Sequence, residues 1–193
     1  MSKEGKTGVS ANTPKNIMFS AGTIHKGLKY AGSSWNFDET IIGATSGGSK
    51  LSIVPEITNI EVDGALVKAK GLTVKTGETA TMEINFLELT KDIIKAATIG
   101  ADGTSDDASN YDLIESKANI ATGDYWENIA FVGKTLEGKN IIAILDNALC
   151  TSGFEQEGKN KEGAVGKYTF ECHAELTSDL DTLPWHIYYP KAS

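Results

Sequence analysis

The sequence contains no arginine, so all 18 of its basic residues are lysine. Its 26 acidic residues bring the formal net charge to −8, and the isoelectric point is about 4.9. Proteins that bind duplex DNA tightly set lysine and arginine against the phosphates, and arginine is the residue that reads guanine. The composition therefore argues against DNA binding. It fits a surface along which DNA slides without adhering, although a negative charge also keeps any protein soluble.

Cysteines and long apolar runs are scarce as well. The two cysteines, Cys150 and Cys172, lie on separate segments, and two cysteines do not make a disulfide framework. Cys172 falls on an apolar strand face, so we expect buried thiols. No apolar run approaches the roughly 20 residues of a membrane helix, and the first residues lack the apolar region of a secretory signal. We expect an intracellular origin and no membrane partner.

Catalytic motifs are also missing. The three histidines are scattered along the chain, and none of the HExxH, GxSxG or CxxC patterns occurs. The segment Gly43–Lys50 imitates a phosphate-binding loop, but Ser49 precedes Lys50, and the residues that follow are β-branched rather than helical. We therefore expect no enzyme, no cofactor and no nucleotide site. The segment is either a hairpin loop or a loop that contacts another subunit.

One possible metal site lies near the end of the chain. Glu171, His173 and Glu175 stand two residues apart, so a strand would present them on one face. Alternating charge is also what a solvated strand face looks like. The solvated face is favoured, and we expect no metal.

What the sequence does contain is strand alternation. From Thr79 to Leu89, and again from Lys167 to Glu175, apolar and polar residues alternate with period two, which predicts strands with one buried face. Two further strands are predicted at Tyr125–Lys134 and Asn140–Leu149. Asp63-Gly64 between two β-rich runs is a strong hairpin signal, because this pair tolerates the positive φ of a tight turn. The apolar phase slips between residues 57 and 60, which indicates a β-bulge.

One helix is predicted, over Thr90–Thr98. Thr90 can cap its N-terminus, and Gly100 can end it. A helix this short is marginal in water and needs packing against a sheet. The segment Ile141–Leu145 is apolar on both faces, so it belongs to a sandwich interior or a subunit contact.

These elements predict a mainly β fold. We expect two antiparallel sheets packed as a sandwich or a partly closed barrel, with one flanking α-helix. The β domain would span residues 16–177. Residues 1–15, which are small and polar, would form a flexible N-terminal arm. Residues 178–193, which are rich in apolar side chains, would dock on the chain's own core or on a neighbour.

The central stretch also carries a family resemblance. Residues 43–90 include the runs GATSGGSKLSIVPE, IEVDGA and ETATMEINFLELT. This order resembles the major tail protein of tailed bacteriophages, the subunit that builds the tail tube. The resemblance runs from about Asn16 to Leu89, and more loosely, as strand pattern only, from Tyr125 to Leu176.

The resemblance implies a structural virion protein. Tail tube subunits form hexameric rings that stack into a tube, and DNA passes through it without specific binding. The implied partners are other copies of the chain and the tape measure, tail terminator and baseplate proteins. The implied location is the virion tail, assembled in the cytoplasm of the bacterial host.

The resemblance also suggests roles for particular residues. Candidate inter-subunit contacts are Gly43, Thr45, Ser46, Gly47, Gly48, Ser49, Lys50, Trp185 and Tyr188. Candidate acidic residues of the lumen are Glu83, Glu171 and Glu175. There they would repel the phosphates of passing DNA.

Two alternatives stay open. One is a stand-alone β-sandwich module that binds carbohydrate or a cell surface, in which Trp35, Trp126 and Trp185 stack on sugar rings. Each tryptophan can equally be a core or interface anchor. The other is the tube subunit of a phage-derived bacteriocin or type VI-like machine, which shares the fold.

Overall fold

In the computed structural model, residues 8–18, 20–158, 160–178 and 180–191 are described. Within these ranges the chain forms nine strands and three short α-helices. The strands are β1 (Thr23–His25), β2 (Thr45–Asn59), β3 (Thr73–Phe86), β4 (Ala101–Gly103), β5 (Leu113–Glu115), β6 (Trp126–Lys134), β7 (Asn140–Cys150), β8 (Gly166–Cys172) and β9 (Trp185–Tyr188). The helices are α1 (Thr13–Asn16), α2 (Phe37–Thr40) and α3 (Lys91–Thr98), and a 3-10 turn covers Thr122–Asp124.

Seven strands form one antiparallel sheet in the order β1-β6-β7-β8-β3-β2, with β9 also paired to β7. β7 is the branch point. One of its edges pairs with β6, and the other pairs first with β9 and then, from Ala148 to Cys150, with β8. β4 and β5 form a separate two-stranded sheet.

The two ends of this strand order approach each other. The amide of Ile42 donates a hydrogen bond to the carbonyl of Ile24 in β1 at 3.2 Å, and β2 begins at Thr45. Residues 41 and 42 therefore lie beside β1, the edge strand at one end of the order, shortly before the chain enters β2 at the other end. The sheet thus curls into a partly closed barrel. The predicted mainly β, antiparallel fold with a flanking helix is confirmed.

The core lies between the inner face of the sheet and α3. Along β3 and β8 every second residue is buried, as the alternation predicts. These residues are Ala80, Met82, Ile84, Phe86, Tyr168, Phe170 and Cys172. Ile93 and Ala97 of α3 belong to the same cluster, so packing holds this short helix. The Thr90 side chain accepts a hydrogen bond from the amide of Ile93, which confirms the predicted cap.

A second buried cluster explains the strand that is apolar on both faces. Ile142 and Ile144 of β7 point away from the main core, and Leu28, which is 1% exposed, packs against them. Trp35 and Phe37 cover the same cluster. The second face of β7 is therefore covered by the chain's own segment 27–37, and this stretch of β7 needs no neighbouring subunit.

Several element boundaries differ from those predicted. Residues 37–40 form α2, for which the sequence analysis predicts no helix, and β2 begins at Thr45. β3 begins at Thr73 rather than Thr79. β8 ends at Cys172, so Leu176 does not continue its buried row and is 90% exposed.

The two predicted terminal segments have different outcomes. Residues 1–7 of the N-terminal arm lie outside the described residues, and α1 forms at the arm's end. In the C-terminal segment, β9 pairs with β7 from Trp185 to Tyr188, so this part docks on the chain's own sheet.

Candidate assembly surfaces

β2 and β3 extend beyond the rest of the sheet as a two-stranded arm. β8 pairs with β3 only between Thr81 and Phe86, whereas β2 follows β3 back to its first residue, Thr73. We call residues 54–59 and 73–79 the hairpin arm, and residues 60–72 its tip. Within the described part of the chain, no third strand lies beside the arm.

The arm and its tip expose many large apolar side chains. They are Val54, Ile57, Ile60, Val62, Leu66, Val67 and Val74, each at least 40% exposed. Leu66 is 99% exposed and Val67 is 81% exposed. On β2, Leu51 and Ile53 pack on the core, and Ile57 continues the same row into solvent. Exposed apolar surface of this extent marks an interaction site.

Sequence reasoning found the hairpin but missed the arm. The turn at Asp63-Gly64 forms, with the amide of Ala65 bonded to the carbonyl of Val62 at 3.0 Å, yet the paired strands stop at Asn59 and resume at Thr73. The bulge predicted between residues 57 and 60 lies elsewhere. The register shifts between Glu56 and Ile57, where Thr76 of β3 is left unpaired, and the pairing is regular from Ile57 to Asn59.

The predicted contact segment 43–50 is mostly strand rather than loop. Thr45 to Lys50 open β2, and the register shifts between Thr45 and Ser49. Gly47 and Gly48 form this bulge with φ of 84° and 83°, values that glycine adopts without strain. The Asn85 amide nitrogen donates to the carbonyl of Gly48 at 3.0 Å and fixes the bulge to β3. Gly43 and Ser46 stand on either side of Thr45, Ser46 exposed and Gly43 half-buried.

β2 leaves one edge open. It pairs with β3 alone, so its other edge has no strand beside it among the described residues. The Oγ of Ser49 on this strand is buried without a hydrogen-bond partner there. Ser49 and Leu51 line an apolar cavity of about 240 Å³ together with Ile187 of β9, a strand that pairs only with β7 among the described residues.

The two aromatic contact candidates occupy different environments. The indole Nε1 of Trp185 donates to the Glu78 carboxylate at 3.0 Å, which ties β9 to the base of the hairpin arm. Hydrogen bonds from Lys75 and Trp185 lower the pKa of Glu78. Tyr188 is 48% exposed and meets Trp35 edge to face, with ring centroids 4.9 Å apart. Only Tyr188 therefore offers a largely free surface.

The structure brings together two of the three lumen candidates. Glu83 pairs with Thr169 and Glu171 pairs with Thr81, so both carboxylates lie on the polar face of β3 and β8. Lysines share this face: the Lys167 ammonium is 2.9 Å from Glu83, and Lys50 stands directly opposite Glu83 on β2. The polar face therefore carries balanced charge rather than a net negative one.

The third candidate, Glu175, lies past the end of β8 in the wall of a cleft. The cleft has a volume of about 1140 Å³ and runs between the end of β1, the start of α3, residues 120–125 and the segment after β8. Its lining includes four carboxylates and a single lysine: Glu39, Asp92, Glu127, Glu175 and Lys26. Ile41, Ile120 and Leu176 add apolar surface that is 52%, 52% and 90% exposed.

Two cleft carboxylates are already paired. Lys26 lies 3.1 Å from Asp92, and Lys29 lies 3.6 Å from Glu127. Glu39 and Glu175 have no cationic partner in the part of the chain that is described. The cleft thus presents free negative charge beside apolar side chains.

The possible metal ligands do not form a site. Because β8 ends at Cys172, His173 and Glu175 leave the strand face that carries Glu171. The Nε2 of His173 is buried without a hydrogen-bond partner among the described residues, and its ring meets Tyr125 edge to face. No group of three His, Cys, Asp or Glu side chains in the described ranges is placed to hold a metal ion.

Both cysteines are free, buried thiols, as predicted. Cys150 pairs with Phe170 and Cys172 with Ala148, so the two are not opposite each other. Burial raises the pKa of Cys150, and it raises that of Cys172 to about 11. Both stay protonated at neutral pH and act as small core residues.

The three tryptophans do not form a common platform. Trp126 is 5% exposed and lies in the main core, stacked near Phe170. Trp35 packs on the second cluster, and Trp185 is held by Glu78. These three tryptophans therefore do not form the sugar-stacking surface that a carbohydrate-binding module would need.

The longest helix in the described residues has eight residues, and none there is long and apolar enough to cross a membrane. No protein-family model matches the chain, and no curated protein matches it significantly.

Proposed function

We propose that this protein is a structural subunit that assembles with copies of itself, as hexameric rings stacked into a phage tail tube through which DNA passes. The hairpin arm carries this proposal. It projects from the barrel with seven large apolar side chains exposed, among them Leu66 and Val67 at its tip. A second protein surface must cover such an element for it to be stable in water at high concentration.

The open strand edges support the same proposal. β2 is fifteen residues long and pairs on one side only within the described chain. Long open edges attract further strands, and closing several sheets into one barrel removes them. A strand of a neighbouring copy would pair with β2 along the segment from Thr45 to Lys50, where the Gly47-Gly48 bulge bends the strand edge.

The composition supports passage of DNA. The chain lacks arginine and has a net charge of −8, so a tube built from it does not hold the phosphate backbone by counterion release. The polar face of β3 and β8, with Glu83 and Glu171 balanced by Lys50 and Lys167, is the surface we assign to the lumen. A balanced face gives DNA neither a strong attraction nor a strong barrier.

The experiment replaces the apolar tip. We expect a variant with Leu66→Asp and Val67→Asp to remain folded, because both side chains are exposed, and to lose rings and tubes in negative-stain electron microscopy. The matched control is Leu136→Asp in the turn between β6 and β7, which is also exposed but lies outside the arm. Undiminished assembly of the tip variant would contradict the proposal.

A further inference from the structure

The hairpin tip and the acidic cleft have complementary chemistry. Residues 66–70 read Leu-Val-Lys-Ala-Lys, so two lysines follow the two most exposed apolar side chains of the arm. Neither Lys68 nor Lys70 has an anionic partner among the described residues, and both are exposed. The cleft offers the reverse, with the unpaired carboxylates of Glu39 and Glu175 beside apolar side chains.

From this match we infer that the tip of one copy docks in the cleft of a second copy. In this arrangement Leu66 and Val67 lie against Ile41, Ile120 and Leu176, which are otherwise open to solvent. Lys68 and Lys70 face Glu39 and Glu175. The inference rests on the proposed self-assembly and names the surface that receives the arm.

Charge makes a second copy of this chain a suitable occupant. Two chains that each carry −8 repel one another overall, so their contact needs locally opposite charges. Within the tip, Glu61 and Asp63 precede Gly64 of the turn, whereas residues 66–70 after it carry two lysines and no carboxylate. The cleft lining carries four carboxylates and one lysine. The contact places residues 66–70 in the acidic cleft, beside its exposed apolar side chains.

The symmetry of the contact agrees with a polymer. The tip and the cleft are different surfaces, so a one-way contact between two copies is heterologous and leaves a free tip and a free cleft at the two ends of each complex. A one-way contact closes in a ring or extends into a filament, whereas reciprocal docking of two copies closes a two-fold dimer. The proposed rings and tubes require the one-way contact.

A charge-swap experiment tests the pairing. We expect the double variant Lys68→Glu, Lys70→Glu to raise the protein concentration needed for assembly by about tenfold or more, because attraction becomes repulsion at the interface. The variant Glu39→Lys, Glu175→Lys should do the same. Mixing the two variants should restore contacts between unlike copies, and combining all four substitutions in one chain should restore assembly. Failure of both rescues would overturn the docking.

A cross-link tests proximity directly. The chain's own cysteines are buried, so engineered thiols report their own positions. We expect copies with Val67→Cys to form disulfide heterodimers with copies carrying Leu176→Cys, and not with copies carrying Leu136→Cys at an exposed turn. Equal cross-linking to both partners would contradict the inference.

The outcomes separate the two proposals. If both charge-reversed variants formed tubes at the same concentration as the wild type, the docking would be overturned and self-assembly would still stand. Wild-type chains that stay monomeric at every concentration, together with no cross-link between the Val67→Cys and Leu176→Cys copies, would overturn both.

Discussion

His25 is a titratable side chain that the fold buries in β1. It is 1% exposed, and its two ring nitrogens lie 2.8 Å from the Thr23 hydroxyl and 2.9 Å from that of Thr40. Thr40 donates its own proton to the carbonyl of Asn36, so it accepts from Nδ1 and holds the imidazole in one neutral form. Burial lowers the pKa of His25 from its ordinary value of 6.5.

The lowered pKa of His25 predicts a loss of stability in mild acid. Below pH 6.5 the unfolded chain takes up a proton at this side chain while the folded chain does not, so the free energy of unfolding decreases as the pH falls. We expect urea unfolding to show this decrease between about pH 7 and about pH 5.5, and His25→Gln to flatten it. The pKa of Asp102 is lowered by hydrogen bonds from Lys95 and Lys91, so its contribution to the free energy of unfolding is lost only at more acidic pH. An equal slope in the variant would contradict this account.

Gly22 is required for steric as well as conformational reasons. Gly22 and Gly27 have almost the same φ, 73° and 75°. An added Cβ at Gly22 would overlap the ring of Phe131, whereas at Gly27 it would meet nothing within 4 Å. We expect Gly27→Ala to cost about 1 kcal/mol of stability for the strained backbone, and Gly22→Ala about 1–3 kcal/mol more for the overlap. Thermal and urea unfolding measure the stability of both variants. Equal losses of stability would show that the Phe131 ring moves aside without a free-energy cost.

The segment 27–37 acts as a cover for the outer face of β7. Leu28 of this segment is 1% exposed, whereas Leu66 on the hairpin tip is 99% exposed. We expect Leu28→Ala to lower the free energy of unfolding by about 2–4 kcal/mol, because it leaves a cavity against Ile142 and Ile144. The same substitution at Leu66 should change monomer stability by less than about 0.5 kcal/mol and weaken assembly instead.

The stabilities of these two variants also test whether the hairpin tip is free in the isolated chain. If Leu66→Ala destabilised the isolated chain as much as Leu28→Ala, the tip would pack on its own domain in solution. The arm would then not be available to a partner, and the proposed function would lose its main support.

Elements with strict periodicity could be predicted from the sequence. The alternation in β3 and β8 correctly placed residues such as Met82 and Phe170 in the core, and the Thr90 cap located α3. The end of α3 was less exact: the left-handed residue is Ile99, with φ of 50°, rather than Gly100. A β-branched residue in that conformation follows from tertiary packing, which local propensity does not contain.

The elements that were missed depend on distant contacts. The start of β2 could not be predicted because it contains the bulge at Gly47-Gly48, and two successive glycines are also typical of a loop. The length of the hairpin arm follows from where β8 stops pairing with β3, at Thr81, and no local signal in β2 gives that point. The cleft gathers residues from six separate segments of the chain, so only the fold could bring Glu39 and Glu175 into its lining.

At the scale of the whole molecule, the features that the barrel does not use itself are those that suit a polymer. Its hydrophobic interior is complete, since the chain's own segments cover both faces of β7. Among the surfaces left uncovered are the hairpin arm, the edge of β2 and the acidic cleft. These surfaces account for an assembling subunit better than for a monomer, which would need to hide its apolar side chains.

The most direct test of self-assembly is negative-stain electron microscopy of the purified wild-type protein, over a range of concentrations and after long incubation. We expect hexameric rings or hollow tubes that become more abundant as the concentration rises. Sedimentation of the same samples gives the fraction assembled. A protein that remains a monomer in every sample, with the hairpin arm still exposed, would contradict the central claim.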